Sequence, residues 1–292
     1  MIITKLRGGL GNQLFQYAIG RQLAENQHTE LKLDLSFFAD QAGVTPRAYK
    51  LRVFKITAAI ATPDDENRVL GTPSWRPIKR RLWKMGLDLF HWNYRRENTF
   101  GFHPDILKFD RSVVLEGYWQ SARYFDSIRS LLLQEITLKE EYVSSANKEL
   151  TTQIRSTISV AVHVRRGDYV ASQIINQQFG LCSLSYYNDA MRLMKEKLEL
   201  PVFYIFSDDI DWCKQHLDSL GCPMHFIFGN PDFEDLILMS TCNHQIVANS
   251  SFSWWAAWLN QSIDKQIIAP KQWFLDPALD TSEVVPSEWI RL

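Results

Sequence analysis

The chain has 292 residues, 46% of them hydrophobic and 22% charged, with 32 basic against 33 acidic side chains and a formal charge of −1. That composition excludes a disordered, collagen-like or disulfide-scaffold protein, and the near-zero charge supplies no field that would gather nucleic acid. A single core seldom grows past about 250 residues, so two packed lobes are expected.

The first strand is Ile2 to Leu6, followed by a turn holding Gly8, Gly9 and Gly11 and a helix whose apolar Leu14, Phe15, Ala18, Ile19 and Leu23 recur at helical spacing. Leu31 to Leu35 reads as a second strand, giving one β-α-β unit. The glycine turn, with Asp34 near the end of the next strand, imitates a dinucleotide-binding unit. The imitation fails at Leu14, which stands where the third glycine of G-x-G-x-x-G should let helix and sheet touch. The glycines serve equally well as a tight strand-to-helix turn. Asn12 and Gln13, next to Gly9 at the helix start, carry amides that could hydrogen-bond a sugar. Residues 75–96 then mix Arg76, Lys79, Arg80, Arg81, Lys84, Arg95 and Arg96 with Trp75, Trp83, Phe90 and Trp92. Such a segment could lie peripherally on an anionic membrane, or simply form a helix of its lobe.

Lys139 to Ser156 is polar and helix-prone without a strand pattern, and it marks the expected boundary between a first lobe, 1–150, and a second, 151–292. Beyond it run ISVAVHV, a helix near Ser185 to Leu198, VFYIF, a helix after Asp211, MHFIF, a helix through Glu234 to Ser240, QIVAN, a helix over Trp254 to Leu259, and QIIAP. Short β-branched runs alternating with helices imply an α/β protein whose parallel sheets are covered on both faces, two Rossmann-like lobes in all. Ligands of such sheets lie beyond the carboxyl ends of the strands.

Three strand ends carry chemistry. The first delivers His163-Val164-Arg165-Arg166-Gly167-Asp168, with His163 and Arg165 on one side of the strand. Paired arginines there suit a diphosphate, because guanidinium groups bind its oxygens bidentately and keep their charge. A solvated surface turn is the plainer alternative. The second delivers Ser207-Asp208-Asp209-Ile210-Asp211, in which Asp209-x-Asp211 looks like a metal-binding pair. The same aspartates could cap a helix or accept hydrogen bonds from a base or ribose. The third places Asn249, Ser250, Ser251 and Ser253 before an apolar helix, a metal-free anion site as well as a cap. Trp254, Trp255 and Trp258 on that helix read as core first and ligand platforms second.

The cysteines, Cys182, Cys213, Cys222 and Cys242, form no CxxC pair, which fits a reducing compartment. No secretion signal is visible and no apolar run approaches the ~18 residues of a membrane span. A cytoplasmic protein is expected, at most peripheral at the inner membrane. The sequons at Asn249 and Asn260 are discounted accordingly.

Taken together in this order, GGLGNQLFQYA, Glu116 to Ser121, HVRRGDY, FSDDIDWC and NSSFSWWAAW resemble glycosyltransferase family 11, the α-1,2-fucosyltransferases. The resemblance runs to about residue 275. It implies a GT-B-like fold with the donor site in the cleft of two lobes, GDP-β-L-fucose as donor, a terminal β-galactoside as acceptor, inversion to an α-linkage and no cofactor or metal. Carried onto this chain, Arg165 would bind the β-phosphate, Arg166 would assist at the donor, His163 and Asp208 would lie near guanosine, and Ser250, Ser251, Ser253 and Trp254 would cradle phosphates. Asn12, with Gly9 and Gln13, would face the reacting sugars from the first, acceptor-side lobe. Asp168 is the candidate general base, although an aspartate beside two guanidiniums is a poor proton acceptor and suits orientation better. Eukaryotic relatives carry an N-terminal anchor, so a bacterial-type enzyme is implied. A fucosyltransferase of another linkage and a metal-dependent DxD transferase are the alternatives.

Overall fold

The computed structural model describes residues 1–41, 46–70, 93–167, 180–276 and 279–292. Asp168 and all but the last four residues of the basic aromatic segment lie outside them. Two compact units emerge, Met1–Thr137 and Leu138–Leu292.

In the first unit, β1 (Ile2–Lys5) leads into α1 (Leu10–Asn26), β2 (Leu31–Asp34) and the single turn α2 (Ser36–Ala39). Then follow β3 (Ala59–Ile60), α3 (Pro63–Leu70), β4 (Tyr94–Arg96), β5 (Val113–Glu116) and α4 (Arg129–Glu135). The strands pair in parallel in the order β3-β2-β1-β5-β4. Central β1 and β5 are buried on both faces through Ile2, Ile3 and Val113 to Leu115, which is why they read as unbroken apolar runs. Helix α1 is buried nearly all round, Leu14 included. Its polar residues are therefore paired. Tyr17 donates to Glu135 of α4 at 2.5 Å, and Arg21 Nε does so at 3.0 Å. A buried carboxylate satisfied by three donors, the third being Thr57 Oγ1 at 2.9 Å, locks α1 to α4 without an uncompensated charge.

The second unit holds α5 (Ser145–Arg155), β6 (Ser159–Val164), α6 (Leu184–Lys197), β7 (Val202–Ser207), α7 (Ile210–His216) and β8 (Met224–Ile227). It continues with α8 (Asp232–Thr241), β9 (His244–Ile246), α9 (Ser251–Leu259), β10 (Ile267–Ala269) and β11 (Ile290–Arg291). Polar helix α5, which the sequence suggested as boundary material, belongs to this unit. Glu234 of α8 accepts from Ser144 N at 2.7 Å and from the Asn147 amide, so the start of α5 is fastened to α8. All strands are parallel in the order β11-β10-β9-β6-β7-β8. Numbered within the unit, this is 6-5-4-1-2-3, the doubly wound nucleotide-binding order, whose switch point lies between β6 and β9.

Trp254, Trp255 and Trp258 of α9 are core residues. Trp254 is fully buried, stacks with Trp258 at 6.3 Å, lies 5.8 Å from Trp289 and donates its Nε1–H to Val284 O at 2.6 Å. The indole thereby ties the helix to the C-terminal segment. Among the described residues, no helix is long and apolar enough to cross a membrane.

Candidate active site

Strands β6 and β7 run parallel with Val164 opposite Ser207, so the residues that follow leave the sheet side by side. The register makes two ion pairs. Arg165 Nη1 lies 3.0 Å from Asp208 Oδ2, and Arg166 Nε lies 3.1 Å from Asp209 Oδ2. Asp208 also accepts the backbone N–H of Arg166 at 2.8 Å, so one carboxylate fixes both the turn and the first guanidinium. Gly167 leaves room for that carboxylate: a Cβ there would lie 2.9 Å from Asp208 Oδ2 and push it aside. Arg166 also lies over Trp212, its guanidinium carbon 4.0 Å from the ring centroid, and Trp212 stacks on His216. Arg166 is thus held by an aromatic face as well as a carboxylate.

His163, the penultimate residue of β6, is buried, and its Nδ1 has no hydrogen-bond partner. Burial, reinforced by the Arg165 charge, lowers its pKa to about 4. The imidazole is neutral near pH 7, able to donate from one nitrogen and accept at the other. Its ring lies 5.4 Å from that of Phe252, which joins the end of β6 to the start of α9.

The third segment follows β9 across the switch point. Ser250 caps α9, accepting from Phe252 N at 3.3 Å, and Ser251 opens the helix. Both are partly exposed, whereas Ser253 is buried and bonds back to Ala248 O and Ser250 O. Asn249 is buried too, its amide donating to Gly180 O at 3.0 Å and Trp273 O at 3.2 Å. The helix start therefore offers Ser250, Ser251 and a positive dipole end toward the strand ends, with Ser253, Asn249 and Trp254 as support. Asp209 and Asp211 do not converge: Asp209 caps α7 and pairs with Arg166, while Asp211, 82% exposed, takes Lys214 at 3.5 Å.

Gly9, Asn12 and Gln13 belong to the first unit. Gly9 caps α1 beside open space, and Asn12 Oδ1 accepts from Gln120 Nε2 at 2.8 Å. Gln13 is wholly buried, its amide donating to Gly8 O and Ala48 O and accepting from Lys50 N, each at 2.9 Å. A full complement of backbone partners makes it a brace for the glycine turn.

A doubly wound sheet that brings two arginines, a neutral histidine and a capped helix start to its switch point, in a chain with a second parallel α/β unit, is the architecture of a GT-B-like glycosyltransferase. The chain belongs to glycosyl transferase family 11, whose family model matches residues 83–292. It is 34% identical to alpha-1,2-colitosyltransferase of Escherichia coli across 100% of this chain and 99% of that one. It is 29% identical to human galactoside alpha-(1,2)-fucosyltransferase 1 across 86% of this chain and 63% of the human one. The crystal structure of NodZ alpha-1,6-fucosyltransferase soaked with GDP-fucose shares the fold, with a TM-score of 0.52 over 88% of this chain and 91% of that one at 17% identity.

Proposed function

We propose that the protein transfers L-fucose from GDP-β-L-fucose to the 2-hydroxyl of a terminal β-galactoside, inverting the anomeric centre without a metal. The observation that carries this reading is the Arg165–Asp208 pair at the β6 end, joined through His163 and Phe252 to the start of α9. The acceptor oxygen attacks opposite the departing GDP; the sugar ring gains positive charge and the β-phosphate negative charge. Arg165 and the α9 start supply fixed positive potential where that negative charge grows. His163 and Asp208 lie at the guanosine side in this reading, and Arg166 buttresses Arg165. Charge developing on the ring acidifies the attacking hydroxyl late, so the course does not depend on a strong base, and no role rests on Asp168.

A second reading of the donor is favoured by the relative that transfers colitose, the 3-deoxy analogue of fucose. The two donors differ by one hydroxyl, and a site that bonds that hydroxyl discriminates strongly against the sugar lacking it. One assay separates the readings: GDP-fucose or its 3-deoxy analogue with lactose, in EDTA, with the product linkage assigned by NMR. The expected result is an α-1,2-fucosylated galactose at undiminished rate. Loss of activity in EDTA sinks metal independence; another linkage sinks the galactoside 2-hydroxyl; preference for the 3-deoxy donor moves the assignment to colitose.

Gly167→Ala tests the turn itself. The added methyl pushes the Asp208 carboxylate away from Arg165 and Arg166 N; losing a hydrogen bond to a charged group costs about 1.5–3 kcal/mol, so GDP affinity measured by calorimetry should fall by roughly tenfold or more. Wild-type affinity in this variant would show that Asp208 does not organise the donor site.

A further inference from the structure

The first sheet has its own switch point, between β1 and β5, and the chain leaving these strands is cross-linked there. Gln16 of α1 accepts from Arg7 N at 2.9 Å and donates to Gly117 O at 3.1 Å, tying the residue two past β1 to the residue after β5. The Arg7 guanidinium lies 4.6 Å from the centre of the Tyr118 ring, and Gln120 donates to Asn12. A guanidinium, a phenol and two side-chain amides are the groups that bind sugar hydroxyls. Two buried donors in the same cluster, Arg7 Nε and Trp119 Nε1, have no hydrogen-bond partner.

One side chain outside this list holds the turn in shape. Glu97, directly after β4, accepts from Tyr118 N at 2.6 Å and from Trp119 N at 3.1 Å. Trp119 sits at φ 56, the left-handed region that a bulky residue enters only when its surroundings impose it. Both N–H groups that flank the constrained residue's φ and its predecessor's ψ are clamped by this one carboxylate. Gly117 completes the clamp, since a Cβ there would stand 2.5 Å from Glu97 Cβ. Burial raises the Glu97 pKa against the two N–H bonds and the charges of His103 and Arg7, which act in the opposite direction. A carboxylate kept in so unfavourable a place is bound by what it accepts.

We propose that Glu97 is a positioning residue: it fixes the turn Gly117–Gln120 so that Tyr118 and Gln120, with Arg7 and Asn12, form the subsite for the hydroxyls of the acceptor sugar. That the sugar is the acceptor galactoside rests on the proposed function; the hold of Glu97 on the turn does not. The Glu97→Gln side chain keeps the shape but sets an NH2 against one backbone N–H. Gln120→Ala, at a partly exposed position, removes a sugar-facing amide and spares the clamp.

In both variants the lactose KM should rise about tenfold with kcat little changed, while GDP affinity stays at the wild-type value. In Glu97→Gln alone, hydrogen exchange of the Tyr118 and Trp119 amides should accelerate. Unchanged exchange overturns the positioning role, whatever the enzyme transfers. Accelerated exchange with an unchanged lactose KM in both variants overturns the acceptor subsite and leaves the proposed function standing. If wild-type enzyme binds GDP but neither binds lactose by saturation-transfer NMR nor fucosylates it, the proposed acceptor fails, and with it the galactoside assignment of this subsite, while the exchange result still decides Glu97. Should Glu97→Gln not fold, the lactose KM of Gln120→Ala decides the subsite.

Discussion

Arg165→Ala is expected to lower kcat for fucosyl transfer by about 10²–10³, the usual effect of deleting one preorganised charge from a transition-state site. The size follows from where the charge sits. Arg165 is held at the end of β6 by Asp208 before any donor arrives, so no reorganisation is needed when negative charge develops on the leaving group. Arg165→Lys should not restore activity, because one ammonium cannot hold Asp208 and a phosphate oxygen in the planar fork that a guanidinium provides. Steady-state kinetics with GDP-fucose and lactose decide it. Near-normal kcat in Arg165→Ala would remove the residue from the chemistry and leave Arg166 or the α9 start to account for leaving-group stabilisation.

Trp254→Ala should strongly destabilise the second unit. A fully buried indole replaced by a methyl typically costs about 3–5 kcal/mol, against a total stability of roughly 5–15 kcal/mol. Here the loss includes the stack on Trp258, the contact with Trp289 and the bond to Val284 O, left without its donor. A melting temperature lower by roughly ten degrees is expected for a unit of this size. Trp254→Phe, which keeps an aromatic ring but not the N–H, should fall between. If Trp254→Ala melted like wild type while losing GDP binding, the residue would be a ligand contact and not a core residue.

Five of the second unit's six strands were legible in the sequence because they are short apolar runs of three to six residues alternating with helices; β11, two residues long, was not. Which strand-end residues meet was not. Arg165 finds Asp208 because Val164 stands opposite Ser207, a register set by the packing of two strands about forty residues apart. No local pattern encodes that. The first unit was harder: β3, β4 and β5 span two to four residues each and carry no period long enough to read. Glu97 is one carboxylate without a partner motif, invisible until β4 and β5 are paired. Arg7 had a signal, since it follows strand β1 as Arg165 follows β6. Gln13 shows the opposite failure. Its amide fits a sugar as well as Asn12 does, and only the fold reveals that the backbone of Gly8, Ala48 and Lys50 takes it entirely.

The ion pairs Arg165–Asp208 and Arg166–Asp209 also set the charge balance at the strand ends: each guanidinium is matched by a carboxylate, so directed N–H groups stand there with little net charge. Anion binding at this place is therefore expected to rest on the geometry of the guanidinium fork more than on long-range attraction, and GDP affinity should fall only modestly as ionic strength is raised.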